Sequence, residues 1–326
     1  MSELKFNEEK KRYPNQDSVP LLSIIVPVFN ESETVNFFVN KIRQIFELEK
    51  TIKYEIVFIN DGSHDDTLDK LLTLQLNYPQ ILIVDLSRNF GKEAALTAGL
   101  AVSNGNIVVP IDVDLQDPPE VILEMLEKWR EGFEVILGKR IDRTSDSWAK
   151  RISAYWFYKI HNKLSDPKIP ENVGDFRLMD RKVVDAINQL PESKRFMKGL
   201  FAWVGFRTAV VEYVRQERIA GITKFNGWRL WNFALEALTS FTTLPLRLWT
   251  YLGTLIATIS FIFAIVIIVK VTFSGVEVPG YASLMVAISF LGGLQLIGIG
   301  VVGEYLGRAY IESKRRPIYI VRRYYK

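Results

Sequence analysis

The chain has 326 residues, enough for one large or two modest domains, and its formal net charge of +4 is too small to point to nucleic acid. It contains no cysteine, which excludes disulfides and thiolate chemistry, and its two histidines (His64 and His161) disfavour a histidine zinc site or a Ser-His-Asp triad. At 48% hydrophobic it is richer in apolar residues than a soluble enzyme usually is, and the excess lies after Leu244.

Residues 1–18 are polar and charged without an apolar core, so they read as a flexible N-terminal tail rather than a signal peptide. Strands and helices then alternate. Strands are predicted over residues 21–29, 54–60, 81–86, 107–111 and 134–138, and helices over 34–46, 67–76, 94–102 and 119–131. This rhythm predicts an α/β fold with a mostly parallel, doubly wound sheet, whose ligands bind beyond the carboxyl ends of the strands. After Arg140 the rhythm breaks. Trp148, Ile152, Trp156 and Ile160 repeat every fourth residue, which fits either a buried amphipathic helix or one lying on a membrane surface. A short helix over 182–190, an apolar segment over 196–206 and a strand over 209–214 follow. Aromatic residues over 224–243 look interfacial.

Residues 248–269 and 281–303 are two uncharged runs, each long enough to cross a bilayer. Arg247 precedes the first and Arg308, Lys314, Arg315 and Arg316 follow the second. By the positive-inside rule both flanks are cytoplasmic. Glycines in the second run (Gly292, Gly293, Gly298, Gly300, Gly303) permit close helix contact and suggest a homo-oligomer formed through the spans. The expected division is therefore a tail over 1–18, a cytoplasmic α/β catalytic domain over 19–215, juxtamembrane amphipathic helices over 216–246, two transmembrane helices over 247–310 and a basic cytoplasmic tail over 311–326.

The chemistry concentrates after the strand ends. The fourth strand runs into Asp112-Val113-Asp114-Leu115-Gln116-Asp117-Pro118-Pro119. Asp112 and Asp114 stand two apart, so in an extended segment they point the same way. With the Gln116 amide oxygen they offer hard oxygens suited to Mg²⁺ or Mn²⁺ shared with a substrate's phosphates. An acidic turn capping the next helix is the plainer reading of the same residues. Asp61-Gly62-Ser63 follows the second strand, where the carboxylate can accept hydrogen bonds from a ribose or a base, or simply cap a helix. Arg88, Lys92 and Arg140 also fall just past strand ends, giving cations that can pair with phosphate.

These stretches resemble a known family. Pro27-Val28-Phe29-Asn30-Glu31, Asn60-Asp61-Gly62-Ser63, Ser87-Arg88-Asn89-Phe90-Gly91-Lys92, the Asp112–Pro119 stretch and Gly174-Asp175-Phe176-Arg177 look like family 2 glycosyltransferases of the GT-A, Rossmann-like fold. Among these the match is to the polyprenyl-phosphate glycosyltransferases, from about residue 21 onward. Asn60 stands where the family often has an aspartate, and Val113 replaces the usual alanine. The resemblance implies a metal-dependent, inverting transfer of a sugar, glucose from UDP-glucose first, to a polyprenyl (undecaprenyl) phosphate at the cytoplasmic leaflet of a bacterial inner or plasma membrane. GDP-mannose and other UDP-sugars stay open as donors. It implies Asp175 and Asp114 as catalytic residues, with Asp175 a base or a positioner. It implies Asp112, Asp114 and Gln116 around the Mg²⁺ or Mn²⁺, and Pro27, Asn30, Glu31, Asp61, Lys92, Arg140, Arg177, Arg218 and Lys224 as binding residues. A processive polysaccharide synthase is disfavoured because two spans are too few for a tunnel and no Gln-x-x-Arg-Trp motif is present. A non-catalytic nucleotide-binding membrane scaffold is the remaining alternative.

Overall fold

The computed structural model describes residues 19–47, 49–141, 173–193, 195–216, 244–274 and 280–326. Five strands and four helices alternate first: β1 (Leu21–Val28), α1 (Val35–Phe46), β2 (Lys53–Asn60), α2 (Thr67–Asn77), β3 (Ile81–Leu86), α3 (Lys92–Val102), β4 (Ile107–Pro110), α4 (Val121–Arg130) and β5 (Val135–Arg140). They are followed by β6 (Val173–Asp180), α5 (Arg181–Asn188), α6 (Met197–Trp203), β7 (Thr208–Tyr213), α7 (Leu244–Ser274), α8 (Tyr281–Ser313) and β8 (Val321–Tyr325). All eight strands form one sheet in the order β7-β5-β6-β4-β1-β2-β3-β8.

β1, β2, β3 and β4 pair in parallel, as do β5 and β7. β6 runs antiparallel between β4 and β5, and β8 antiparallel on β3. The sheet is therefore mixed where the alternating rhythm predicts a mostly parallel one. The parallel strands are covered on both faces, so their residues divide between two cores. Ile24, Val26, Ile56 and Phe58 pack with α1 and α4 on one side. Ile25, Val57, Ile59 and Val84 pack with α3, α5 and α6 on the other. Gly99 lets α3 lie directly on β1, because a Cβ there would overlap the Ile25 side chain.

β8 corrects the reading of 311–326 as a basic tail. Val321, Arg323, Tyr324 and Tyr325 pair with Ile83–Leu86, and Arg322, more than half exposed, reaches back to Asp85 at 3.5 Å and to the Ser87 carbonyl at 2.8 Å. The charge of Lys314-Arg315-Arg316 and Arg322-Arg323 hides the β-prone Val321, Tyr324 and Tyr325 from a composition-led reading.

α7 and α8, of 31 and 33 residues, cover the two uncharged runs. Taken over the described residues, no helix is long and apolar enough to cross a membrane, so the expected spans stand here as helices alone. The two pack together at Gly298, where a Cβ would overlap the Trp249 indole. The segments 148–164 and 224–243, expected as amphipathic helices, lie outside the described residues.

Candidate active site

The parallel strands β1, β2 and β4 end on the same edge of the sheet, and the loops beyond them surround a cleft of about 560 Å³. The cleft brings together Pro27, Glu31, Asp61, Lys92, Asp112, Asp114, Arg140 and Asp175 of the predicted residues. Asn30 stands outside its lining. It adopts φ 55°, and its side-chain oxygen accepts from the His64 amide at 2.9 Å while its own amide donates to Ser63 Oγ at 3.0 Å. Asn30 thus ties the β1 loop to the β2 loop. Arg88 folds over the Phe90 ring and stays out of the cleft lining. Arg218 and Lys224 lie outside the described residues.

Asp61 organises one wall of the cleft. Its two carboxylate oxygens accept from the amides of Phe90 at 2.7 Å and Gly91 at 2.9 Å. Burial pushes its pKa up, against those two donors. Gly62, at φ 68°, backs directly onto Arg88 and Asn89; a Cβ would collide with their backbone. Beneath this turn the Asn60 amide donates to Asp85 Oδ1 at 2.8 Å, both side chains being buried. An aspartate at position 60 would set two buried carboxylates against each other. The departure from the family pattern there therefore has a local cause.

Lys92 bridges two carboxylates across the cleft. Its Nζ is 2.6 Å from Asp112 Oδ1 and 3.0 Å from Asp175 Oδ2. Burial opposes the ammonium, yet the two carboxylates hold its pKa well above the usual lysine range. Asp175 feels the converse. Burial alone would raise it, but Lys92 and Lys198 outweigh that and hold it down at about 2. Its Oδ1 is buried with no hydrogen-bond partner among the described residues. Neighbouring Glu93 is pushed up to about 8, first by burial and then by the Asp175 charge, while accepting from the Met197 amide at 3.2 Å.

Asp175 reaches the cleft because β6 alternates. Phe176 and Leu178 enter one core; Asp175, Arg177 and Met179 face the other. Arg177 is 4% exposed, donates to the Gly174 carbonyl at 2.7 Å and lies 4.0 Å over the Phe201 ring. Burial pulls its pKa down to about 10 against Asp175 and Glu93. It lines a second cavity beside the cleft rather than the cleft itself.

The loop after β4 carries Leu115 at φ 56°, a strained backbone for a leucine, and it turns Asp114 and Asp117 inward. Asp114 Oδ1 accepts from the Gln116 amide at 3.2 Å. Gln116 Oε1 accepts from Arg215, and the Gln116 carbonyl accepts from the Gln216 amide at 2.9 Å. Asp112 and Asp114 are hard carboxylates on the cleft wall, the donor type a divalent ion with phosphate ligands requires. Among the described residues no three His, Asp or Glu side chains cluster as a protein-only metal cage.

Sequence reasoning left Asp117, Lys198, Arg215 and Tyr213 unassigned. Buried Asp117 accepts from Tyr213 Oη at 2.6 Å and pairs with Arg140 at 3.2 Å. Burial and the Asp117 charge push the Tyr213 phenol up. Asp117 lies inside the quoted motif, so its acidity was visible; Lys198 and Arg215 come from elements with no motif, and only the fold brings them near.

Comparison with known proteins gives the class of the chain: residues 23–187 match the family 2 glycosyl transferase model. The chain belongs to that family and is a glycosyltransferase with a GT-A-like α/β sheet. It is 56% identical over 301 residues to the bactoprenol glucosyl transferase of Shigella phage SfV, covering 92% of this chain and 98% of that protein. It is 55% identical over 302 residues to the prophage bactoprenol glucosyl transferase homolog of Escherichia coli K12, covering 93% and 98%. Glucosyl-3-phosphoglycerate synthase from Mycobacterium tuberculosis, solved with Mn²⁺, UDP-glucose and phosphoglyceric acid, aligns at 20% identity and a TM-score of 0.46 over 68% of this chain and 78% of that one.

Proposed function

We propose that this enzyme transfers glucose from UDP-glucose to a polyprenyl phosphate. The observation that carries the reading is the cleft itself, in which Asp112 and Asp114 stand beside Lys92 and Asp175. The names of relatives above 50% identity support glucose and a bactoprenol-type acceptor. In the proposed step an acceptor phosphate oxygen forms a bond to the anomeric carbon as the bond from that carbon to the UDP oxygen breaks. UDP leaves with the electron pair. A single displacement on an α-linked donor gives a β-linked product.

The residues divide the work. Asp61 and the amides it fixes hold the nucleoside end. Pro27 and Glu31 form the wall beside it, and Asn30 sets the loop that carries them. Asp112 and Asp114 would hold Mg²⁺ or Mn²⁺; Gln116 stands outside the cleft lining with its side-chain oxygen on Arg215, and would join them only on release from that arginine. Such an ion, when bound, neutralises charge developing on the leaving diphosphate. Arg140, aligned by Asp117 and Tyr213, adds positive charge on that side, and Arg218 and Lys224 are proposed as further phosphate ligands. An acceptor phosphate is largely dianionic at neutral pH, so it needs little deprotonation. A carboxylate held at about 2 is a poor proton acceptor, which favours Asp175 as a positioner acting through Lys92. Arg177 braces the same strand from behind.

We also propose that α7 and α8 cross a bacterial inner or plasma membrane, with the sheet on the cytoplasmic side. Support comes from 22 uncharged residues over 248–269, which rise roughly 33 Å as a helix. Ile259, Ile262, Val266, Leu296 and Ile299 are also more than half exposed along the pair, an apolar surface that water does not favour. The remaining glycines of α8 face open space and suit self-association.

The test is formation of lipid-linked sugar by the purified full chain with polyprenyl phosphate and either Mg²⁺ or Mn²⁺. UDP-glucose is expected to give product faster than GDP-mannose or UDP-N-acetylglucosamine. No lipid-linked product from any donor would overturn the function. A reporter within residues 275–279 is expected on the far side of the membrane from one after Lys326; both on one side would remove the spans.

A further inference from the structure

We propose that Lys198 on α6 anchors the acceptor's phosphate and that the apolar cavity behind it receives the first isoprene unit. The assignment rests on the acceptor class proposed above. Among the described residues, Lys198 alone lines both the cleft and the second cavity. The remaining cations of the cleft are engaged: Lys92 by Asp112 and Asp175, Arg140 by Asp117, Arg215 by Gln116. Among the described residues Lys198 makes no hydrogen bond or ion pair, although its charge acts on Asp175.

The second cavity is of opposite character. Val135, Leu137, Val173, Phe201 and Ala202 give it apolar walls, and it measures about 220 Å³. That is below the roughly 300–1,000 Å³ of a complete small-molecule site, so it suits a fragment of a longer ligand. Arg177 also lines this cavity, and its Nε is buried without a hydrogen-bond partner among the described residues, a costly arrangement for a donor. A charged head on a branched hydrocarbon satisfies both halves at once. The phosphate replaces water around Lys198, next to Asp175, and the first isoprene unit leaves water for the cavity. A nucleotide sugar, polar along its whole length, has nothing to place there.

The experiment measures the KM for undecaprenyl phosphate and for UDP-glucose in the full-length enzyme, together with inhibition by inorganic phosphate. Lys198→Ala is expected to raise the acceptor KM on the order of tenfold and to weaken phosphate inhibition, with the donor KM within about twofold. Lys198→Arg is expected to restore most of the acceptor affinity, which separates lost charge from lost fold. Ala202→Trp, which fills the cavity, is expected to raise the acceptor KM while leaving phosphate inhibition unchanged. A free-phosphate site alone would leave Ala202→Trp without effect and overturn the lipid assignment. An unmoved acceptor KM in Lys198→Ala, or a donor KM that rises equally, overturns the anchor. A wild-type enzyme that makes no lipid-linked sugar overturns the function and this assignment with it; wild-type turnover with either failure above overturns this assignment alone.

Discussion

The two flanks of the cleft are built differently. On the β1–β4 flank the polar groups sit in loops after strands that are mostly apolar; Asp61 and Asp114 accept from backbone amides, while Asp112 pairs with Lys92. On the β6 flank, Asp175 and Arg177 lie within a strand, among core residues. Loop chemistry can be altered while the sheet stays intact. Strand chemistry cannot, because a buried charge without its partner destabilises the fold that holds it.

Breaking the loop flank should give the largest catalytic loss. Asp114→Asn is expected to lower transfer at least about a thousandfold, several kcal/mol of transition-state stabilisation, with the melting temperature nearly unchanged. Measured turnover near wild type with either metal would erase the contrast. Asp175→Asn, on the strand flank, is expected to lose roughly 10–100-fold in kcat and to lower the melting temperature too, since Lys92 loses half its bridge. If Asp175 positions rather than deprotonates, the residual rate climbs as pH passes the acceptor's second pKa near about 6. No activity at any pH in a variant that still binds donor would make it an obligatory base.

The smallest effect is a pH dependence of stability. Glu93 has a folded pKa of about 8 against an ordinary value of 4.5, so the folded state holds its proton longer than the unfolded chain does. Its favourable contribution is complete below about pH 4.5 and is lost as pH rises through about 8. Glu93→Gln is expected to flatten that slope in melting temperature between pH 5 and about 8. An unchanged slope would place the alkaline loss elsewhere.

This contrast also decides what was legible in the sequence. The loop flank was readable because apolar runs stop at Asp61, Ser87 and Asp112, and a change from apolar to polar marks a strand end. β6 was read as a motif but not as an antiparallel strand, because Gly174-Asp175-Phe176-Arg177 alternates too briefly to reveal its direction. Lys198 was invisible: a lysine on a short helix is ordinarily a solvated charge. Asp117 was seen as acidic but not as Arg140's partner, since the two lie 23 positions apart and meet only across the sheet.

β8 has a consequence for solubility. Without it β3 would be an edge strand, with Ile83, Val84 and Leu86 presenting unpaired backbone to any other extended chain. β8 takes up that edge and becomes the edge itself, and it brings exposed Arg323 and Lys326, whose like charges repel a second copy. The strand therefore works as a guard against sheet-to-sheet aggregation.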